Sequence, residues 1–231
     1  MSNPLSNVEM VRQQVATAAR RAGRDPSAVT IIAVSKTHTI AEIEQVLAAG
    51  LNHLGENRVQ ELQEKWPTLG GRATWHLIGS LQTNKVKPAV EMASLIHSLD
   101  RDSLAQALAR EAERLGAPVN VLVQVNVSGE ESKHGIAPAE LEPFLRRISQ
   151  GGGLQVQGLM TMAPHASDPE LARPHFRRLR ELARELGTLG LPHVNLQQLS
   201  MGMSGDFEVA VEEGATLVRV GTAIFGAREP R

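Results

Sequence analysis

Short apolar runs alternate with amphipathic stretches along almost the whole chain. The apolar runs occupy residues 29–35, 52–55, 74–78, 94–99, 119–127, 154–161, 194–199 and 216–220. Each has the length of a strand, and several are too continuous to leave one face in water, so they read as strands of a parallel sheet covered by helices. Between them, residues 40–49, 57–65, 102–115, 138–148, 169–186 and 207–213 carry or can hold a helix. The stretch after Ile78 has the weakest pattern. In the longest helix Leu171, Ala172, Phe176, Leu179, Leu182, Ala183 and Leu186 trace one stripe, and arginines and glutamates cover the rest as a solvated face. One more amphipathic helix precedes the first strand. Ser6 is its expected N-cap with Glu9 three residues on, and Val8, Val11, Val15 and Ala18 form a stripe that ends at Gly23.

Eight β/α units in 231 residues fit a single (β/α)8 TIM barrel, an α/β fold, with an extra N-terminal helix and one domain over residues 1–231. A doubly wound open sheet is the rival, but no GxGxxG closes a strand to support it.

Composition removes several functions. Without cysteine there are no disulfides, thiolate nucleophiles or cysteine-ligated metals. A net charge of −1 and no basic strand or helix face argue against nucleic acid as a partner. No apolar run approaches the roughly 18–20 residues of a membrane helix, and the first residues lack a signal-peptide core, so a cytoplasmic location is expected. The histidines show no paired metal spacing, and no metal site is expected. There is no tyrosine, and of 24 cationic residues only Lys36, Lys65, Lys85, Lys87 and Lys133 are lysines.

Barrel active sites lie at the C-terminal ends of the strands. Lys36 directly follows Ile31, Ile32, Ala33 and Val34. A primary amine partly desolvated there gains a larger neutral, nucleophilic fraction, which suits Schiff-base formation with a carbonyl; a lysine snorkelling to solvent is the plain alternative. Lys65 reads as the end of a surface helix, and Lys133, in the loop over 128–135, is the other plausible amine. Ser200, Gly221 and Thr222 close the seventh and eighth strands, where barrels commonly hold phosphate; an ordinary turn with Ser204 or Asp206 capping the next helix is the alternative. Arg219 lies inside the eighth apolar run and needs either an acidic neighbour or a ligand acceptor. His76 can face the barrel mouth or be a hydrogen-bonded core residue. An amine facing hydroxyls at strands seven and eight describes a holder for an aldehyde that carries a phosphate.

Six ordered motifs carry a resemblance over residues 7–228: AVSK at 33–36, GENRVQE at 55–61, WHLIG with LQTNK at 75–85, GLM at 158–160, LSMGMS at 199–204 and VRVGTAIFG at 218–226. Together they are similar to the pyridoxal phosphate homeostasis proteins, also called proline synthase co-transcribed proteins. The resemblance implies a barrel like the N-terminal domain of alanine racemase, with pyridoxal 5'-phosphate (PLP) joined to Lys36 as a Schiff base. It implies Ser200, Gly221 and Thr222 at the phosphate, Arg219 at the pyridine nitrogen, and Asn57, His76 and Met201 lining the pocket. Arg58 stands where the family often has an aromatic residue. The implied role is PLP homeostasis by a monomer, with PLP-dependent apoenzymes as candidate recipients and no strong turnover.

Two features of the sequence agree with weak turnover. An arginine cannot accept a proton, so opposite the pyridine nitrogen it leaves a poorer electron sink than a carboxylate does. Two-base racemisation as in alanine racemase needs a tyrosine, and none exists here. The competing readings are a slow PLP-dependent racemase or decarboxylase using His76 or Lys133 as second acid or base, and a cofactor-free Schiff-base aldolase.

Overall fold

The computed structural model describes residues 4–130 and 133–226. The ends of the expected 1–231 domain, and residues 131–132 of the loop around Lys133, lie outside them. Eight strands close into a barrel in chain order: β1 (Thr30–Val34), β2 (His53–Glu56), β3 (Thr74–Leu77), β4 (Leu95–Leu99), β5 (Val119–Gln124), β6 (Leu154–Met160), β7 (Val194–Ser200) and β8 (Leu217–Val220). All pairings are parallel. Closure is made by β1 on β8, with Ile31 opposite Val218 and Ile32 opposite Arg219. The expected (β/α)8 architecture is present, and an open sheet is excluded.

Helices α1 (Pro4–Arg21), α2 (Ile40–Ala48), α3 (Val59–Leu69), α4 (Val86–Met92), α5 (Asp102–Leu115), α6 (Pro138–Ile148), α7 (Arg173–Gly187), α8 (Phe207–Glu212) and α9 (Thr222–Phe225) surround it. The weakly patterned stretch after Ile78 holds a 3-10 turn, Thr83–Lys85, and the short α4. Helix α1 starts at Pro4, which is preorganised for a first turn, so Ser6 lies inside the helix rather than capping it. The expected long helix divides into a 3-10 turn, Pro169–Ala172, and α7; Leu171 in that turn points to solvent at 62% exposure and leaves the stripe.

Most of the core lies between the sheet and the helices, while Ile32, Leu95, Leu122, Met160 and Leu217 form a separate small plug inside the barrel. Helix α1 ties the first and last units together. Arg12 donates to the carbonyls of Ala49 and Gly50 at the end of α2, Arg24 to those of Val211 and Ala215, and Asn7 to that of Ile224 in α9.

Candidate functional site

A cavity of about 430 Å³ opens at the C-terminal ends of the strands. Val34 and Lys36 come from β1, Asn57 from the end of β2, and Ile78, Gly79 and Ser80 from the end of β3. His165 and Asp168 follow β6, Met203, Ser204 and Asp206 follow β7, and Arg219, Gly221 and Thr222 come from β8 and its turn. Gly79 lets two of these walls meet, because a Cβ there would stand 2.2 Å from the Asn57 carbonyl oxygen.

Lys36 is half-buried in the wall. Its neighbours fix its backbone from both sides. Ser35 is fully buried, donates its hydroxyl to Glu56 Oε1 at 2.7 Å, and accepts from Lys65 Nζ at its carbonyl at 2.7 Å. Thr37 has φ +67°, a left-handed conformation costly for a β-branched residue, and its N–H is held by Glu61 Oε2 at 2.7 Å. Non-glycine backbone in this region is retained only where its surroundings over-determine it, and here it directly follows the amine.

Lys65 is therefore not a surface residue. It is 7% exposed, and its ammonium lies 2.6 Å from Glu56 Oε1, within the fully buried start of the GENRVQE motif. Burial raises the Glu56 pKa, opposed by the Lys65 charge, and Glu56 Oε2 has no partner among the described residues. The spacing could have revealed this: Val59, Leu62, Lys65 and Leu69 share the buried face of α3.

At the end of the neighbouring strand β8 the backbone N–H groups of Gly221 and Ala223 both donate to Ser204 Oγ, at 3.1 and 3.2 Å, and Ser204, Gly221 and Thr222 line the cavity. Gly221 packs on the end of β1, since a Cβ there would lie 3.5 Å from Val34 Cβ. Arg219 is 4% exposed and reaches the same cavity. Its partners are neutral: Ser200 Oγ at 2.6 Å and the Thr161 carbonyl at 2.9 Å. Burial brings its pKa down to about 10, with the Asp206 carboxylate pulling the other way. Asp206 is itself pushed up by burial and accepts the Met203 N–H at 2.6 Å.

The structure thus brings Lys36, Asn57, Arg219, Gly221 and Thr222 to one cavity wall. Ser200, His76 and Met201 are buried and stand outside that wall. Ser200 Oγ is engaged by Arg219 and His97, and His76 lies between His53 and His97 inside the barrel. Ser204, expected as a possible helix cap, lines the cavity and accepts the Gly221 and Ala223 N–H groups. Lys133 does not line the cavity, and Arg58 is exposed before α3. His165 and Asp206 line it with no distinguishing sequence signal, because loop residues carry no periodicity. Among the described residues there is no cluster suited to a metal ion and no helix long and apolar enough to cross a membrane.

The family described as "Alanine racemase, N-terminal domain" matches residues 7–229. The chain is 43% identical to the pyridoxal phosphate homeostasis protein of Aquifex aeolicus, covering 98% of this chain and 99% of the relative. A crystal structure of an unknown protein from Bifidobacterium adolescentis superposes with a TM-score of 0.92 at 37% identity, covering 96% of this chain and 94% of that one. PipY of Synechococcus elongatus, solved with PLP bound, superposes with a TM-score of 0.80 at 41% identity, covering 94% of this chain and all of the other (100%). Fold, motifs and full-length likeness agree: the chain belongs to the alanine racemase N-terminal domain family and, within it, to the pyridoxal phosphate homeostasis proteins.

Proposed function

We propose that this protein holds PLP at the cavity described above and acts in PLP homeostasis as a carrier or buffer. The observation that carries the reading is that Lys36, Ser204, Arg219, Gly221 and Thr222 line one cavity, with Lys36 and Gly221 at the adjoining ends of β1 and β8. A volume of about 430 Å³ lies within the usual range for small-ligand pockets. The donor set fits the group: an amine for the aldehyde, the Ser204 and Thr222 hydroxyls beside the Gly221 turn for the phosphate, and a guanidinium for a ring acceptor. Bound there, PLP supplies an electrophilic aldehyde on an electron-withdrawing ring.

Lys36 would hold the group through its Nζ, whose condensation with the aldehyde would release the aldehyde oxygen as water with both amine protons. The Ser35, Glu56 and Lys65 contacts hold the backbone from which Lys36 projects. Arg219 donates and cannot take up a proton, so it keeps the ring nitrogen an acceptor. The two residues considered as a second acid or base, His76 and Lys133, are not on the cavity wall, which supports retention over turnover.

The test is uptake of PLP followed by borohydride reduction, intact mass and peptide mapping. The expected result is one added cofactor on Lys36, lost in Lys36→Ala, with no solvent deuterium entering the Cα of added amino acids. Protein that takes up no PLP, or carries it on another lysine, refutes the proposal.

A further inference from the structure

Arg219 sits at the end of a row of buried side chains that crosses the barrel interior. Its Nη1 donates to Ser200 Oγ, which lies 2.9 Å from His97 Nδ1. His97 Nε2 is 3.0 Å from His76 Nδ1, and His76 Nε2 is 3.0 Å from His53 Nδ1. His97 and Ser200 are fully buried, while His53, at the start of β2, is half-buried toward the opposite end of the barrel.

The register builds this row. His76 pairs with Gly55, two residues beyond His53, and with Leu95, two residues before His97. A two-residue step per strand keeps each side chain on the inner face while following the stagger of a closed barrel. Ser200 pairs with Leu217, so Arg219 stands the same two residues ahead.

Hydrogen-bond chemistry gives the row a direction. A guanidinium only donates, so Ser200 Oγ accepts from Arg219 and its own hydrogen goes to His97 Nδ1. A neutral His97 then carries its proton on Nε2 and donates to His76 Nδ1, and His76 in turn donates from Nε2 to His53 Nδ1. An imidazolium at His76 or His97 would set donor against donor close to the Arg219 cation. Burial holds all three imidazoles below their ordinary range, helped at His76 by His53 and at His97 by His76 and Arg219.

We propose that His53, His76 and His97 form a proton-ordered brace whose three Nε2–H tautomers fix Ser200 and, through it, the angle at which Arg219 presents its remaining N–H groups to the cavity. They are positioning residues. Only the identity of Arg219's ligand rests on the PLP reading; the brace belongs to the protein itself.

Nitrogen-15 NMR of the imidazoles before PLP is added reads the tautomers directly. Three neutral Nε2–H rings are expected at neutral pH; an Nδ1–H ring or an imidazolium at His76 or His97 overturns the proposal. The second measurement compares His97→Leu with His97→Gln, whose side-chain oxygen can accept the Ser200 hydrogen. In His97→Leu the distinct Arg219 guanidinium N–H signals should merge, PLP retention should fall about tenfold, as for losing order in a charge-assisted bond, and His97→Gln should restore both. Unchanged Arg219 signals in His97→Leu, or equal losses in both variants, refute the brace. No PLP uptake by the wild type, together with its three tautomers and with Arg219 signals that merge in His97→Leu, refutes the proposed function while supporting the brace. Should His97→Leu not fold, the wild-type tautomers decide.

Discussion

Lys65 Nζ lies 2.6 Å from Glu56 Oε1 while also bonding the carbonyl of Ser35, so a buried ammonium on α3 anchors the residue that precedes Lys36. Removing one member of such a pair leaves the other charge buried and uncompensated. Lys65→Met should therefore destabilise the fold by about 3–5 kcal/mol, and the double variant with Glu56→Leu by less, because both charges then leave together. Urea midpoints at constant slope measure this. A Lys65→Met midpoint equal to wild type would mean that the pair does not stabilise the barrel.

Acid should weaken the fold as the histidines of the unfolded chain take up protons. His76 is held down to about 3 by burial, against 6.5 in the unfolded chain, and His53 and His97 shift the same way. Between these values the unfolded state binds more protons. The stability is then complete above about pH 6.5 and falls as pH drops, by at most about 1.4 kcal/mol per pH unit for each proton. Urea midpoints from pH 7.5 to 5 should decline, and His76→Gln should flatten the decline. A level wild-type curve over this interval contradicts the buried neutral row.

Two glycines near the cavity should respond unequally to alanine. Gly202 has φ +92°, its carbonyl accepts the Arg219 N–H, and a Cβ there would stand 2.5 Å from Ala210 Cβ. Gly221 has φ −112° and room for an ordinary contact. Gly202→Ala should cost about 1–3 kcal/mol or more, and Gly221→Ala under about 0.5 kcal/mol, in thermal or urea unfolding. Equal effects would reject the assigned turn geometry.

Lys133 stands off the cavity wall. Lys133→Ala should leave PLP retention within about twofold of wild type, since changes away from a site shift free energies by under about 0.5 kcal/mol. Equilibrium dialysis with PLP decides; a large loss would place a second amine at the ligand.

The eight strands were legible because each is a short stretch centred on apolar residues between helical patterns, although only some, such as β1 and β4, are buried almost throughout, while β7 alternates with exposed polar residues. Lys36, Gly221 and Thr222 were legible as cavity residues because they end such stretches, and Arg219 because a cation inside one must find a partner. The burial of Lys65 was obscured by its charge, although Val59, Leu62 and Leu69 mark its face as buried. Ser200 and Ser204 stand four residues apart on a strand end and its turn, and only the partners of each hydroxyl separate them. The histidine row was hidden by the same cause: no single strand carries it, and it emerges only from the register of three.

The seam between β1 and β8 has a consequence for biosynthesis. Lys36 emerges early from the ribosome, but Arg219, Gly221 and Thr222, which share its cavity, belong to the final β/α unit, and α1 waits for α9 before Asn7 finds its carbonyl. On the proposed function, a nascent chain would expose its amine long before the rest of the cavity exists, and loading would be confined to polypeptides translated through the last strand.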